Sequence, residues 1–351
     1  MSSFPVATDT ATSFAYLGWH GNGNLGDDAI YDAVRSQLPG AEFHDMPRLP
    51  QELIRASAAG HLTALRRSAQ VVGGGTLIGR RHWRYLINCG MALTRHHGSY
   101  AIGAGVEDPR FTGRRSGSGR NELKRWPALL SKFQIVSVRG PQSAELLADA
   151  GLQVAVSGDP ALLLPAPQTA PQDGLIGVNL GFGDDLWGHD PDRVTAEVAG
   201  AVNELAGRGY RFVGILMNSS DRKWTERALH GVDADIVFPD DCATVTADLA
   251  SCSLVIASRL HAGILAALSG TPVVSLEYQP KCRDFALSID DDASLIRTDV
   301  VTGAAVAERA EALLAEASTL RDRKKAAVGR LRQRLQADFA LARAQNGLAS
   351  D

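Results

Sequence analysis

An excess of positive charge is missing from this chain. Its 36 Lys and Arg stand against 39 Asp and Glu, a formal net charge of -3 over 351 residues. That balance gives no general pull towards nucleic acid, and no nucleic-acid partner is expected. No run of about 18 apolar residues occurs, which argues against a membrane-spanning helix. Cysteine is scarce. Cys89, Cys242, Cys252 and Cys282 are scattered and form no C-x-x-C pair. They read as free thiols in a reducing cytoplasm rather than as a zinc site. Residues 1–12 lack the basic region and apolar core of a signal peptide, so a cytoplasmic location is expected. What is present, 45% hydrophobic and 21% charged residues, suits a globular chain long enough for two domains.

Strand-like apolar runs alternate with helical patterns. Strands are expected at 14–18, 69–72, 100–103 and 134–138, with helices at 27–38, 83–94 and 141–150. Alternation of this kind builds βαβ units and a mostly parallel sheet covered on both faces. Three prolines, Pro165, Pro167 and Pro171, interrupt the rhythm as a stiff linker. It restarts with strands at 175–180, 211–216, 235–238, 254–257 and 273–276, and helices at 194–206, 224–229, 243–250 and 261–268. From Ala304 to Ala344 the pattern is helical, with a break near Ser318. The organisation that follows is α/β: a Rossmann-like domain over 1–165, a second over 172–300, and a helical segment over 301–351 able to pack back on the first. Ligands of such sheets bind beyond the carboxyl ends of the strands, which places the site in the cleft between domains.

Four segments fall at those ends. Gly18 to Asp28 follows the first strand and is rich in glycine, which lets backbone turn sharply and approach a ligand. It lacks the Lys-Ser/Thr of a Walker A loop and the later acid of a dinucleotide fold. Asp27 or Asp28 can cap the next helix or handle a hydroxyl proton. Gly73-Gly74-Gly75 ends another strand and reads either as an anion nest or as a tight turn. Arg139 closes a strand just before a helix, while Asp159 suits an ion pair or a cap. Ser258-Arg259-Leu260-His261 sits where a helix begins, and free N–H groups there favour an anion. Arg259 supplies a permanent cation with two-point geometry, and His261 a proton carrier near neutral pH. Lys281 follows the next strand and can reach the same cleft. Two basic stretches, 110–120 and 321–334, read as solvated faces or as contacts with an anionic acceptor or membrane surface. Asp233-Ala234-Asp235 has D-x-D spacing that arises easily by chance, and no metal site is assigned.

Together these segments resemble the polysaccharide pyruvyl transferases. The likeness rests on Gly21 to Asp28, Gly73-Gly74-Gly75, Ser137-Val138-Arg139-Gly140, Asp159-Pro160-Ala161, Ser258 to His261 and Tyr278-Gln279-Pro280-Lys281, in the family's order. It implies two Rossmann-like domains in a GT-B-like arrangement with a terminal helix returning to the first. It also implies transfer of a carboxyethylidene group from phosphoenolpyruvate to a sugar, with no cofactor. Arg139, Arg259, Leu260 and His261 then map onto the phosphoenolpyruvate site. His261 is the candidate general acid, and Asp28 shares the catalytic assignment, although family members often carry Glu there. Lys281, Gly74, Gly75, Asn24 and Asp27 complete the expected substrate contacts, and Asp27, Asp28 or His20 can face the acceptor, a saccharide or lipid-linked saccharide. The second domain is expected to hold the donor and the first the acceptor. The alternative is a GT-B glycosyltransferase for a nucleotide sugar, with Glu277 as its donor-holding carboxylate. A saccharide-binding protein without catalysis and an NAD oxidoreductase are weaker rivals.

Overall fold

The structure is a computed structural model that describes residues 13–111, 121–183 and 185–348. Residues 1–12 and most of the basic loop (112–120) lie outside the described residues. The first unit runs β1 (Ser13–Leu17), α1 (Leu25–Ser36), β2 (Glu42–Asp45), α2 (Pro50–Ala58), α3 (Leu62–Leu65), β3 (Ala69–Val72), β4 (Thr76–Ile78), α4 (Arg81–Leu93), β5 (Ser99–Val106), α5 (Pro127–Leu130), β6 (Ile135–Val138), α6 (Pro141–Asp149) and β7 (Ala155–Val156). The second runs β8 (Gln172–Asn179), α7 (Pro191–Gly207), β9 (Arg211–Ile215), α8 (Arg222–Ala228), β10 (Ala234–Val237), α9 (Cys242–Ser251), β11 (Cys252–Ala257), α10 (Leu260–Leu268), β12 (Val273–Glu277), α11 (Pro280–Ser288) and β13 (Leu295–Arg297). Helices α12 (Gly303–Ala315) and α13 (Ala317–Gln345) close the chain.

The first sheet has the order β2-β1-β3-β5-β6-β7, with β4 paired to β5, and the second has the order β10-β9-β8-β11-β12-β13. Every pairing between these strands is parallel. Parallel strands are covered on both faces, so their sequences are continuous apolar runs. β1, β3, β5 and β11 are buried along their whole length. The order reverses between β1 and β3 in one sheet and between β8 and β11 in the other. Such a switch point leaves a crevice at the carboxyl ends of the strands. Both crevices open towards the same space between the units.

Helix α13 ties the units together. Leu320, Lys324, Ala327, Val328, Leu331, Leu335 and Phe339 form its buried stripe at helical spacing. Near its start Arg321 donates to the Cys252 carbonyl at 3.0 Å. Near its end Asp338 accepts from Ser137 and Ser157 at 2.6 and 2.7 Å, and Asn346, which caps it, donates to the Tyr100 hydroxyl at 2.9 Å. Part of the second basic stretch is therefore absorbed into the fold, while Arg323 and Lys325 stay exposed. Lys324 is buried against Asp291 at 2.7 Å, Arg332 donates to the carbonyls of Leu162 and Leu164, and Arg334 donates to that of Val156. These side chains cement a helix and do not form a free basic face.

Candidate active site

The cleft between the units has a volume of about 820 Å³. Loops after β1, β3 and β6 line it from the first unit, through Asn24 and Asp27, Gly75 and Thr76, and Arg139. Loops after β8, β11 and β12 line it from the second, through Gly183, Arg259 to His261, and Tyr278, Gln279 and Lys281. Two half-exposed aromatics, Trp19 and Tyr85, also face it.

Arg259 is the N-cap of α10 in extended conformation, which puts Leu260 and His261 in the first helical turn. His261 is 13% exposed and reaches across to the first unit, where its Nε2 lies 3.8 Å from the Asp159 carboxylate. Burial, and then Arg139, Lys281 and Arg259, push its pKa down to about 3. A buried imidazolium beside three cations is doubly disfavoured. His261 is consequently neutral at pH 7 and accepts a proton before it can donate one. The general-acid assignment therefore needs an anion in the cleft to offset those cations.

Arg139 is fully buried between units. Its Nε lies 3.5 Å from Asp284 of α11, its Nη1 3.9 Å from Asp159, and its Nη2 donates to Thr76 Oγ1 at 3.4 Å. Arg139 Nε and Nη1, Asp159 Oδ2 and His261 Nε2 have no hydrogen-bond partner among the described residues. Unpaired buried polar atoms are costly, so their concentration at the cleft floor marks a place built for a polar ligand. Asp159 also accepts from the Ala161 amide at 3.0 Å, so both structural roles expected for it are realised. Burial raises its pKa to about 6, and burial does the same to Asp27. Asn24 caps α1 and donates to Asp27 Oδ2 at 2.5 Å, aligning that carboxylate with the cleft.

Several expectations need correction. Asp28 does not line the cleft; its carboxylate accepts from the Gly21 amide at 2.7 Å and closes the glycine loop. Neither aspartate caps α1, because Asn24 does. His20 turns away to stack on Tyr31 and pair with Asp45 at 3.0 Å. Gly74 also lies outside the lining. A Cβ there would meet Ile30 at 2.9 Å, and one at Gly73 would meet the Tyr16 ring at 2.7 Å. The Gly73 amide donates to Leu17 O. Packing thus accounts for these two glycines, no anion nest forms from them, and only Gly75 of the three faces the cleft. Arg259 is not open for a two-point grip through Nε and Nη2. Both donate to Asp221 Oδ1, at 2.9 and 2.6 Å, leaving Nη1 towards Gly183. Glu277 is buried and held bidentately by Arg283 at 3.0 and 2.5 Å, outside the cleft lining.

Asp221 and Asp284 are the residues that sequence reasoning missed. Asp221 is fully buried and accepts from Asn179 Nδ2 at 3.2 Å as well as from Arg259. Asp284 accepts from the amide and hydroxyl of Ser143 at 3.0 and 2.7 Å, bridging the units beneath Arg139. Neither belongs to a short motif. The glycines opposite them carry the signal. A Cβ on Gly181 would fall 2.5 Å from the Asp221 carboxyl carbon, and one on Gly140 would collide with Asp284. Among the described residues no group of three or more His, Cys, Asp or Glu could hold a metal ion.

Solved structures define the class of this fold. A putative UDP-N-acetylglucosamine 2-epimerase from Listeria monocytogenes matches with a TM-score of 0.58 at 12% identity, covering 95% of this chain and 96% of the other. The S. aureus MnaA–UDP complex matches with a TM-score of 0.59 at 10% identity, covering 97% of each. UDP-GlcNAc 2-epimerase from Neisseria meningitidis matches at 0.54 and 12% identity, covering 94% and 99%. The arrangement is GT-B-like, with two parallel-sheet domains. No curated protein sequence matches the chain. The family model for polysaccharide pyruvyl transferase matches residues 24–280, and the chain belongs to that family.

Proposed function

We propose that this chain transfers the carboxyethylidene group of phosphoenolpyruvate to two hydroxyls of one sugar, in a polysaccharide, glycolipid or related glycoside. One observation carries the reading. Arg139, Arg259 and Lys281 converge from both domains on the buried, neutral His261. Three cations around one proton carrier suit a small donor bearing both a carboxylate and a phosphate. The nucleotide-sugar alternative loses its supporting residue, since Glu277 is engaged by Arg283.

The chemistry balances as follows. Donor charge offsets the three cations, and His261 takes up a proton. It delivers that proton to C3 of phosphoenolpyruvate, and C2 gains oxocarbenium character. The first sugar hydroxyl adds at C2 and loses its proton, and phosphate departs with the electron pair of its bond to C2. The second hydroxyl closes the ketal and loses its proton in turn. Neutral His261 takes one hydroxyl proton, and Asp27 takes the other and passes it to phosphate or solvent. Asp27, with its pKa raised to about 6 and its carboxylate aligned by Asn24, is the acceptor-side base. Leu260 and Gly75 shape the donor pocket, and Trp19 and Tyr85 face the acceptor.

The test is incubation with phosphoenolpyruvate and a panel of glycosides, followed by mass spectrometry and phosphate assay. The expected result is one phosphate released per carboxyethylidene gained. His261→Ala should abolish turnover with the fold retained, and unchanged turnover would remove His261 from the mechanism. Absence of ketal and phosphate across a broad panel would defeat the reading.

A further inference from the structure

Helix α2 is amphipathic the wrong way round. None of its nine residues is buried. Its most covered positions include Glu52 and Ala56, which lie one turn apart, whereas Leu49, Leu53 and Ile54 are 52%, 44% and 68% exposed. A helix of a globular domain turns its apolar stripe to the core. This one turns it outward. So short a helix is marginal in water by itself, and its start is held by Glu52, whose carboxylate accepts from the amides of Arg48 and Leu49. Eight large hydrophobics are exposed among the described residues. Three of them sit on this six-residue stretch. A fourth, Trp19, lies 4.7 Å from the Arg48 guanidinium at its edge.

The sequence that follows Glu52 carries charge of one sign. Between Leu53 and Val106 the sequence holds no Asp or Glu, while it holds Arg55, Arg66, Arg67, Arg80, Arg81, Arg84 and Arg95. Arg80 and Arg84 are spent on Glu107 and Glu122. Arg55, Arg66 and Arg67 are exposed, Arg55 on α2 itself and Arg66 and Arg67 just after α3, the next helix in the chain. The whole chain is slightly acidic, so this local excess is a segregated feature of the first domain.

We propose that this face docks on an anionic lipid surface, with Leu49, Leu53 and Ile54 entering the headgroup boundary and Arg55, Arg66 and Arg67 on the phosphates. A short ridge of aliphatic side chains, with arginine on the same helix and further exposed arginines in the segment that follows it, has the composition of an interfacial helix. Three aliphatic side chains are too few for the roughly 20 residues a side of a stable protein interface. Trp19 joins the ridge to the cleft, because it packs on Arg48 and lines the cleft as well. Docking there brings the mouth of the cleft to the bilayer. On the reading given under Proposed function, the acceptor is then a sugar carried on a membrane lipid.

The experiment is flotation of the full chain with vesicles of phosphatidylcholine alone and of phosphatidylcholine mixed with phosphatidylglycerol. Binding to the mixed vesicles is expected, and high salt should weaken it. Leu53→Glu with Ile54→Glu should cut binding by roughly tenfold or more. Arg66→Glu with Arg67→Glu should cut it by roughly fivefold for each positive charge removed. These positions are exposed, so unaltered melting temperatures and unaltered ketal formation on soluble glycosides serve as controls. Failure of the wild type to float with mixed vesicles would overturn the proposal, as would flotation indifferent to the Leu53/Ile54 pair. Concentration-dependent dimerisation abolished by that pair would reassign the face to a second copy of this chain. Vesicle binding needs neither donor nor acceptor, so its failure is separable from a failure to form ketal.

Discussion

Replacing Gly26 by alanine tests whether the active site depends on how closely the two domains approach. Gly26 lies in the first turn of α1, in the first domain. A Cβ placed there would fall 2.5 Å from Cγ and 2.7 Å from Cβ of His261, in the second domain. Rotation of the histidine about χ1 moves its ring but leaves its Cβ in place. Relief must come from the backbones. Ordinary contact begins at 3.4 Å, so the domains must part by about 0.7 Å at this point. A misplacement on the order of 1 Å can cost about 100-fold in rate, which is about 2.7 kcal/mol of transition-state stabilisation. Stability should change less. Overpacking costs about 1–3 kcal/mol, and the better helix propensity of alanine returns up to about 1 kcal/mol. The assay is phosphate release at varied phosphoenolpyruvate and acceptor, paired with a denaturant melt. Gly200→Ala in α7 is the control, because a Cβ there meets nothing within 4 Å. It should be neutral or slightly stabilising and leave turnover unchanged. A Gly26→Ala enzyme with kcat/KM within about twofold of wild type would refute the argument that His261 is set by domain approach.

Donor binding should carry proton uptake. His261 starts near pKa 3 because of burial and three cations, and an anionic donor offsets those cations; calorimetry in two buffers of different ionisation enthalpy should show uptake near pH 6 that fades by about pH 8. No uptake there, in wild type and His261→Gln alike, would make the histidine a base throughout. Asp27→Asn should raise the melting temperature at pH 8 while abolishing activity. A carboxyl raised to about 6 contributes stability below its unfolded value of about 4 and loses it as pH rises through 6, so the gain should be about 1–2 kcal/mol at pH 8 and vanish near pH 4. Lys324→Ala should destabilise by about 3–5 kcal/mol, since it leaves Asp291 buried without its 2.7 Å partner. Lys324→Met combined with Asp291→Leu should cost clearly less, and a denaturant melt that ranks the two the other way would contradict the pairing.

The interior strands were legible because burial on both faces demands unbroken apolar runs, as in Leu254 to Ala257. Edge elements were not. β2 is Glu-Phe-His-Asp with one neighbour and half-exposed side chains, so nothing in its composition requires a strand. α2 hides from an amphipathicity argument for the reason that makes it interesting: its apolar residues face out. At the site, Arg259 and His261 were legible because a strand, two polar residues and a small-residue helix fix where a helix begins. Asp28 misled because two adjacent acids at a helix start look interchangeable. Helical rotation of about 100° per residue sends one to the cleft and the other back onto its own loop. The glycines misled in another way. A glycine reports that something comes close, and only the fold says what. At Gly74 it is Ile30, at Gly140 it is Asp284, and at Gly26 it is the histidine itself.

The same glycines alter the expected division of labour. A donor domain and an acceptor domain, each complete in itself, would need no close approach between them. Here Arg139 and Asp159 come from the first domain, and Arg259, His261 and Lys281 from the second, yet all act on the charge of one imidazole or on one another. Asp284 locks the pair from beneath, accepting from Ser143 of the opposite domain while it faces Arg139. Separating the domains would leave Arg139 without Asp284, Asp159 without His261, and His261 open to water. Exposure would let its pKa climb back towards the ordinary value of about 6.5. With no donor bound, the low pKa of His261 is therefore a property of the closed pair, and its protonation state then reports whether the cleft is assembled.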